Sequence, residues 1–269
     1  MKKTHVLIAL LSVFILGACN APQTEKEAEF KATQDHLIAA TLWQQTSAEA
    51  KALNIQNYKL ARLMLDKNTE NAESDKPKAI ITDLDETVID NSAYNARMII
   101  NNHPYTPESW AEWVKEENAE AIPGAVDFFN YADSKGITII YLSNRADSAL
   151  TYTINNLKEL QLPQIKPENI LLKTDSSDKT ERRNKILENY DVVLYLGDNL
   201  RDFSEDFGKR GNDFGKKAVD ENAELIGTKY IVFANPMYGE WEKPIQNNSY
   251  DHTDEELYKL RRDVLDIKK

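Results

Sequence analysis

The sequence predicts an α/β fold built on a doubly wound parallel sheet. Three observations predict it. Short apolar runs, often β-branched, alternate with helix-like stretches from about residue 78 onward. The runs are nearly continuous in apolar character, as strands covered on both faces are. The chemistry-bearing polar residues each follow such a run, where ligands bind in open parallel sheets. With 41% hydrophobic and 29% charged residues among 269, a sizeable core is available and wholesale disorder is excluded. Nine Gly and nine Pro exclude a collagen-like or low-complexity chain.

The elements follow in order. Residues 1–18 read as an export signal: Lys2 and Lys3 precede an apolar run from Val6 to Leu16, broken only by Ser12. That run is far below the ~20 apolar residues that span a bilayer. Leu16-Gly17-Ala18-Cys19 resembles the bacterial lipobox. The resemblance implies lipidation of Cys19, which becomes the first residue of the mature chain. Residues 19–30 form a polar tether. Asn20 is not the aspartate that retains such lipoproteins in the inner membrane, so the expected place is the cell envelope, at the outer membrane of a Gram-negative cell.

The remainder, 31–269, is read as one domain. A helical segment covers about 31–70, with apolar positions at Leu37, Trp43, Ala48, Tyr58, Ala61 and Leu65. Asn54-Ile55-Gln56-Asn57 is expected to break it. Strands are expected at 79–82, 137–142, 169–173, 192–196 and 230–234. Helices are expected at 123–135, 146–161, 179–190 and 212–226. Residues 88–122 are too long for a simple strand–helix link. Thr253 and Glu256 have capping-box spacing at a final helix.

Charge narrows the partners. The net charge is −11, and removing the two leader lysines takes it to −13. Such a chain is a poor partner for nucleic-acid polymers, which want a basic stripe. Cys19 is the single cysteine, so there is no intrachain disulfide framework.

Four segments carry chemistry. The first strand runs into Asp83-Leu84-Asp85-Glu86-Thr87, and carboxylates at i and i+2 share a side. One could attack while the other moves a proton. The second strand ends in Ser143-Asn144-Arg145, which offers a hydroxyl, an amide and a guanidinium to phosphate oxygens. Lys179 stands near a helix start. The fourth strand ends in Gly197-Asp198-Asn199-Leu200-Arg201-Asp202. Asp83, Asp85, Asp198 and Asp202 gathered in one cleft would repel without a cation. An oxygen-only donor set favours Mg²⁺ over Zn²⁺. A metal, a lysine and a serine facing two carboxylates suit phosphoryl transfer, which needs charge neutralisation and alignment.

In this order, Asp83-x-Asp85-x-Thr87, Ser143, Lys179 and Gly197-Asp198 with Asp202 resemble the four motifs of the haloacid dehalogenase (HAD) superfamily. With DLDETVIDN, SNR, GDNLRDF and NPMYGEW behind a lipobox, the chain is similar to the class C acid phosphatase and 5′-nucleotidase lipoproteins, over about 78–242. The resemblance implies a Rossmann-like, HAD-like sheet with a small helical cap at about 88–122. It implies that Asp83 attacks phosphorus and that Asp85 protonates the leaving alkoxide and then activates water. Ser143 would bind the phosphoryl group, and Lys179 would neutralise it and orient Asp83. One Mg²⁺ would be held by Asp83, Asp198 and the backbone carbonyl of Asp85, with Asp202 supporting the metal shell or Lys179. Activity on the acid side of neutrality is expected.

Trp110 and Tyr238 match aromatics that this family uses to stack a nucleobase, which points to nucleoside 5′-monophosphates. Trp113, three residues on from Trp110, is read as core. Asn144 and Arg145 are candidate substrate contacts; a helix cap for Asn144 and a structural ion pair for Arg145 stand beside those readings. Glu86 is read as a solvated loop charge. The rival functions are a broad acid phosphatase or phosphotransferase without base preference, and a non-catalytic ligand-binding lipoprotein. Whether two copies pair as a homodimer is left open.

Overall fold

Five parallel strands form the centre of the protein. The computed structural model describes residues 34–249 and 251–268; the leader, Cys19 and the tether fall outside the described residues. Helices α1 (Ile38–Thr46) and α2 (Ala48–Glu70) come first, then β1 (Lys78–Thr82). A short antiparallel pair, β2 (Ile89–Asp90) and β3 (Glu120–Ala121), brackets α3 (Ser92–Asn101) and α4 (Pro107–Lys115). The chain continues through α5 (Ala125–Ser134), β4 (Thr138–Ala146), α6 (Leu150–Glu159) and β5 (Ile170–Lys173). It ends with α7 (Thr180–Asn189), β6 (Asp191–Gly197), α8 (Lys216–Glu221), β7 (Tyr230–Val232) and α9 (Asp254–Asp263). The strand order is β5-β4-β1-β6-β7, with every pairing parallel. None of the described helices is long and apolar enough to cross a membrane.

Both faces of the sheet are covered, which is why the strands read as continuous apolar runs. Ile80, Ile139 and Tyr141 pack into one core with Tyr58, Leu65 and Phe129. Ile81, Ile140 and Leu142 point the other way, into a second core with Ile186, Phe203 and Phe207. Successive residues alternate between the two, as strand geometry requires. In β6 the register against β1 shifts between Ala79 and Ile80, leaving Val193 as an extra residue. Asn68 of α2 donates to the Val193 carbonyl at 2.9 Å, satisfying the group at this irregularity.

Several boundaries differ from the sequence expectation. The first helical segment breaks at Ser47, whose hydroxyl accepts from the Ala50 N–H at 2.8 Å. Asn54 to Asn57 lie inside α2. Tertiary bonds outweigh their low helix propensity: Asn54 is buried, and Asn57 donates to the Val232 carbonyl at 2.9 Å. The helix expected at 212–226 shrinks to α8. The second strand, expected to end at 142, runs on to Ala146. The capping box of Thr253 and Glu256 is present at α9.

Helix α2 also braces the loop after β1. The Tyr58 hydroxyl donates to the Thr87 carbonyl at 2.5 Å, and both residues are buried. Tyr58→Phe keeps the ring and orphans that carbonyl. We expect a loss of about 1–3 kcal/mol, the cost of a buried unpaired acceptor, read by urea denaturation.

Candidate active site

The site lies where β1 and β6 end, at the point where the strand order reverses direction. Asp83 continues the line of β1 and its N–H donates to the Leu196 carbonyl of β6 at 2.9 Å. The loop then closes tightly: the N–H groups of Val88 and Ile89 both donate to the Leu84 carbonyl, at 2.8 and 3.0 Å. The carboxylate of Asp83 contacts the ammonium of Lys179, the residue just before α7. Lys179 also donates to Asp202 at 2.7 Å. The second oxygen of Asp202 accepts from the Asn199 N–H at 3.0 Å, inside the turn that opens with Asp198. Asp198 accepts from the Asn235 amide at 2.9 Å, and Asn235 in turn accepts from the Met237 and Tyr238 N–H groups.

Gly197 makes this packing possible. A Cβ there would sit 2.6 Å from the Cβ of Asp202. Any side chain would push Asp202 away from Lys179.

Asp83, Asp198 and Asp202 each offer an oxygen within 4.8 Å of the others. Three carboxylates against one ammonium leave excess negative charge in a buried space. Burial pushes Asp83 up to about 7; Lys179 opposes this, while Asp202 and Asp85 add to it. Burial, then Asp202 and Asp83, hold Asp198 well above the usual carboxylate range. Burial works against the Lys179 ammonium, but Asp202 and Asp83 outweigh it and hold its proton more tightly than in an ordinary lysine. Oxygen-only donors that lack sufficient countercharge fit a hard divalent cation.

Asp85 is arranged differently. Its carboxylate receives the Arg145 guanidinium, at 2.8 Å from Nη2 and 3.0 Å from Nε, and the Asn91 amide at 2.9 Å. Ser143 lies 3.4 Å from its other oxygen. The extension of β4 explains the placement of these partners. Ser143 and Arg145 alternate inward while Asn144 points outward. Asn144 donates to the Ser177 carbonyl at 2.8 Å and accepts from Arg182 at 2.6 Å, so its amide ties the end of β4 to α7 and the loop before it, and caps no helix. For Arg145, the ion-pair alternative is the one the structure contains.

Glu86 corrects the sequence reading. It is 2% exposed, adopts φ +58°, and accepts from the Asn91 N–H at 2.8 Å. Burial, then Asp85 and Asp198, raises its pKa well above the ordinary value. Trp113 is core, as expected, and donates to Asn91 at 2.8 Å.

Most of the motif residues meet in one cavity of about 590 Å³. Asp83, Asp85, Lys179, Asp198 and Asp202 line it, with Asn144 and Arg145 beside them. Trp110 and Tyr238 line it too, along with Tyr94, Met98 and Tyr105 from the insertion. Ser143 stays beneath, fully buried. Asn91 and Asn235 are isolated amides with no spacing signal in the sequence, although they stand inside the DLDETVIDN and NPMYGEW segments.

A parallel sheet that brings a strand-end Asp-x-Asp, a serine, a lysine and a second acidic pair to one crevice defines a HAD-fold phosphoryl-transfer enzyme. The family model for the HAD superfamily, subfamily IIIB (acid phosphatase) matches residues 10–241, and the chain belongs to this family of phosphomonoester hydrolases. Two solved structures of the class C acid phosphatase from Bacillus anthracis, one of them a crystal structure with tungstate bound, are each 39% identical to it. Each alignment covers 88% of this chain and 99% of that one, with a TM-score of 0.84. Among curated proteins, the stem 28 kDa and 31 kDa glycoproteins of Glycine max are each 26% identical over 187 residues. Those alignments cover 67% of this chain and 69% and 60% of the respective relatives.

The acid cluster has a consequence for stability. Asp83, Asp198 and Glu86 all hold their protons more tightly in the folded protein than in the unfolded chain. The contribution of Asp83 is fully present below its unfolded value, 3.8, and is lost as pH rises through about 7; those of Asp198 and Glu86 are likewise lost as pH rises. We expect the Tm of chelator-treated protein to fall from about pH 5 to about pH 8. A divalent cation should flatten that fall in calorimetry. A rising Tm across the same window contradicts the burial argument.

Proposed function

We propose that this protein is a lipid-anchored, extracytoplasmic phosphatase of nucleoside 5′-monophosphates, with Mg²⁺ as its divalent ion. The observation that carries this reading is that the phosphate-handling residues and the aromatics Trp110 and Tyr238 line the same cavity. A nucleotide offers a phosphate for one and a base for the other. The Bacillus anthracis relative binds tungstate, a tetrahedral oxyanion like phosphate, which supports an oxyanion as ligand of this chain.

Asp83 attacks phosphorus, and the bond to the leaving oxygen breaks as an aspartyl-phosphate forms. Lys179 fixes the attacking carboxylate through their ion pair and neutralises charge on the phosphoryl oxygens. Asp85 gives its proton to the leaving alkoxide, then takes one from the water that cleaves the intermediate. Asp83, Asp198 and Asp202 offer the oxygens that would hold the ion, which when bound screens the negative charge of carboxylates and phosphate. Trp110 lies on α4, with the Tyr94 ring nearly perpendicular at 5.1 Å and the Arg145 guanidinium 5.7 Å over its ring, and it lines the cavity in which a base would stack.

The test uses soluble protein starting after Cys19 and a panel of nucleoside monophosphates, a sugar phosphate and an aryl phosphate, with and without EDTA. Asp83→Asn should lower phosphate release by a factor on the order of 10³ or more. Trp110→Ala with Tyr238→Ala should cost roughly 5- to 150-fold in kcat/KM on nucleotides, the equivalent of about 1–3 kcal/mol of stacking. Equal loss on a small aryl phosphate removes the base clamp and leaves a broad phosphatase. No release by folded protein removes the catalytic reading.

The anchor rests on the Leu-Gly-Ala-Cys segment. Several acyl chains on one residue hold a protein at a membrane where a single chain is marginal. Cells expressing the full chain should incorporate labelled palmitate into it, and Cys19→Ala should abolish the label. Undiminished labelling of that variant contradicts the anchor.

A further inference from the structure

Asn91 has no assigned role, yet four side chains from three segments of the chain meet at its own. It is fully buried. Its Oδ1 accepts from the Trp113 indole at 2.8 Å and from Arg145 Nη2 at 3.3 Å. Its Nδ2 donates to Asp85 at 2.9 Å and faces Glu86 at 3.5 Å. The amide can sit only one way round. An indole N–H and a guanidinium only donate, so the oxygen must face that pair and the nitrogen is left to the two carboxyl groups.

Arg145 completes the arrangement. It is 2% exposed, its Nε and Nη2 grip Asp85, and its Nη1 lies 3.4 Å from the Thr153 hydroxyl. With its nitrogens engaged inside the protein, the fork is set to orient a carboxylate. A fork of this kind fixes the plane of its partner, which a lysine cannot do. The Asp85 carboxylate accordingly stands outside the three-aspartate cluster.

We infer that Asn91 and Arg145 are positioning residues that hold the Asp85 carboxylate in one orientation for proton transfer to the leaving oxygen, with Trp113 locking Asn91. This rests on the reading of Asp85 as the proton donor given above. In the step concerned, a bond forms between an Asp83 oxygen and phosphorus and the bond from phosphorus to the leaving oxygen breaks. That oxygen leaves with the bonding pair and takes the Asp85 proton. A misoriented donor slows this step only when the leaving group needs the proton. An alkoxide needs it; a 4-nitrophenolate does not.

The experiment compares kcat/KM for an alkyl phosphate and for 4-nitrophenyl phosphate in the metal-loaded enzyme. This ratio reports the steps up to departure of the leaving group and excludes hydrolysis of the intermediate. Asp85→Asn is the reference: it should lose roughly 100-fold or more on the alkyl ester beyond its loss on the aryl ester. Asn91→Ala and Arg145→Lys should show the same split at smaller size. Trp113→Phe, which keeps the bulk and removes only the donor, should show it at the smallest size. If Arg145→Lys does not fold, as judged by circular dichroism, Asn91→Ala and Trp113→Phe decide. Equal losses on both esters, or none, while Asp85→Asn still splits them, overturn the positioning role. Absence of a split in Asp85→Asn overturns the proton-donor reading itself, and the inference falls with it.

Discussion

The ammonium of Lys179 is the constraint on which the site depends. It joins residues 96 and 23 positions away in the chain, Asp83 and Asp202, in a place almost without solvent. Breaking one side of a buried ion pair typically costs about 3–5 kcal/mol, because the remaining charge is left uncompensated. The local structure is arranged to hold it. The Arg183 N–H donates to the Lys179 carbonyl at 2.8 Å, and Asp178 accepts from the Thr180 N–H at 2.8 Å, so Lys179 is pinned at the first turn of α7. Gly197 clears the space for Asp202, and the Asn199 N–H turns Asp202 toward the lysine.

One lysine is still too little charge for three carboxylates, which is what makes the cluster receptive to a cation and a phosphate ester. The aromatic part of the cavity is tied to it. Asn235 bonds Asp198 on one side and the Met237 and Tyr238 backbone on the other. Any shift of Asp198 is therefore transmitted to the loop that carries Tyr238. On the opposite wall, Trp110 shares α4 with Trp113, whose indole reaches Asn91 and through it Asp85.

The fold was legible because each strand is a short apolar run covered on both faces, and the five expected strands correspond to β1, β4, β5, β6 and β7. The site was legible where it follows a strand end: Asp83, Asp85, Lys179, Asp198 and Asp202 all come to one cavity. What was illegible depends on contacts made at a distance. Nothing in the local sequence says that Asn57 bonds the Val232 carbonyl, so Asn54 to Asn57 read as a helix break. Glu86 reads as a solvated charge because glutamate in a loop usually is one. Its burial follows from the backbone of Asn91 and from a positive φ that the residue type does not signal. Ser143-Asn144-Arg145 reads as the polar end of a strand whose apolar run stops at 142. Only the alternation of burial along β4 shows that Ser143 and Arg145 share a side.

Strand order explains how two aspartates only two residues apart come to have opposite surroundings. β1 lies between β4 and β6, and each neighbour ends in its own chemistry. β6 delivers Asp198 and leads to Asp202, so Asp83, whose backbone bonds β6, enters an acidic cluster relieved by Lys179. β4 delivers Arg145 in its last turns of pleat, so Asp85 enters a basic grip. Had β4 stopped at residue 142, Arg145 would have had no strand to set its direction, and Asp85 would have been one more charge in the acidic cluster. The proposed nucleophile, which needs countercharge, and the proposed proton carrier, which needs a fixed orientation, are thereby separated by topology alone, without any change in residue type.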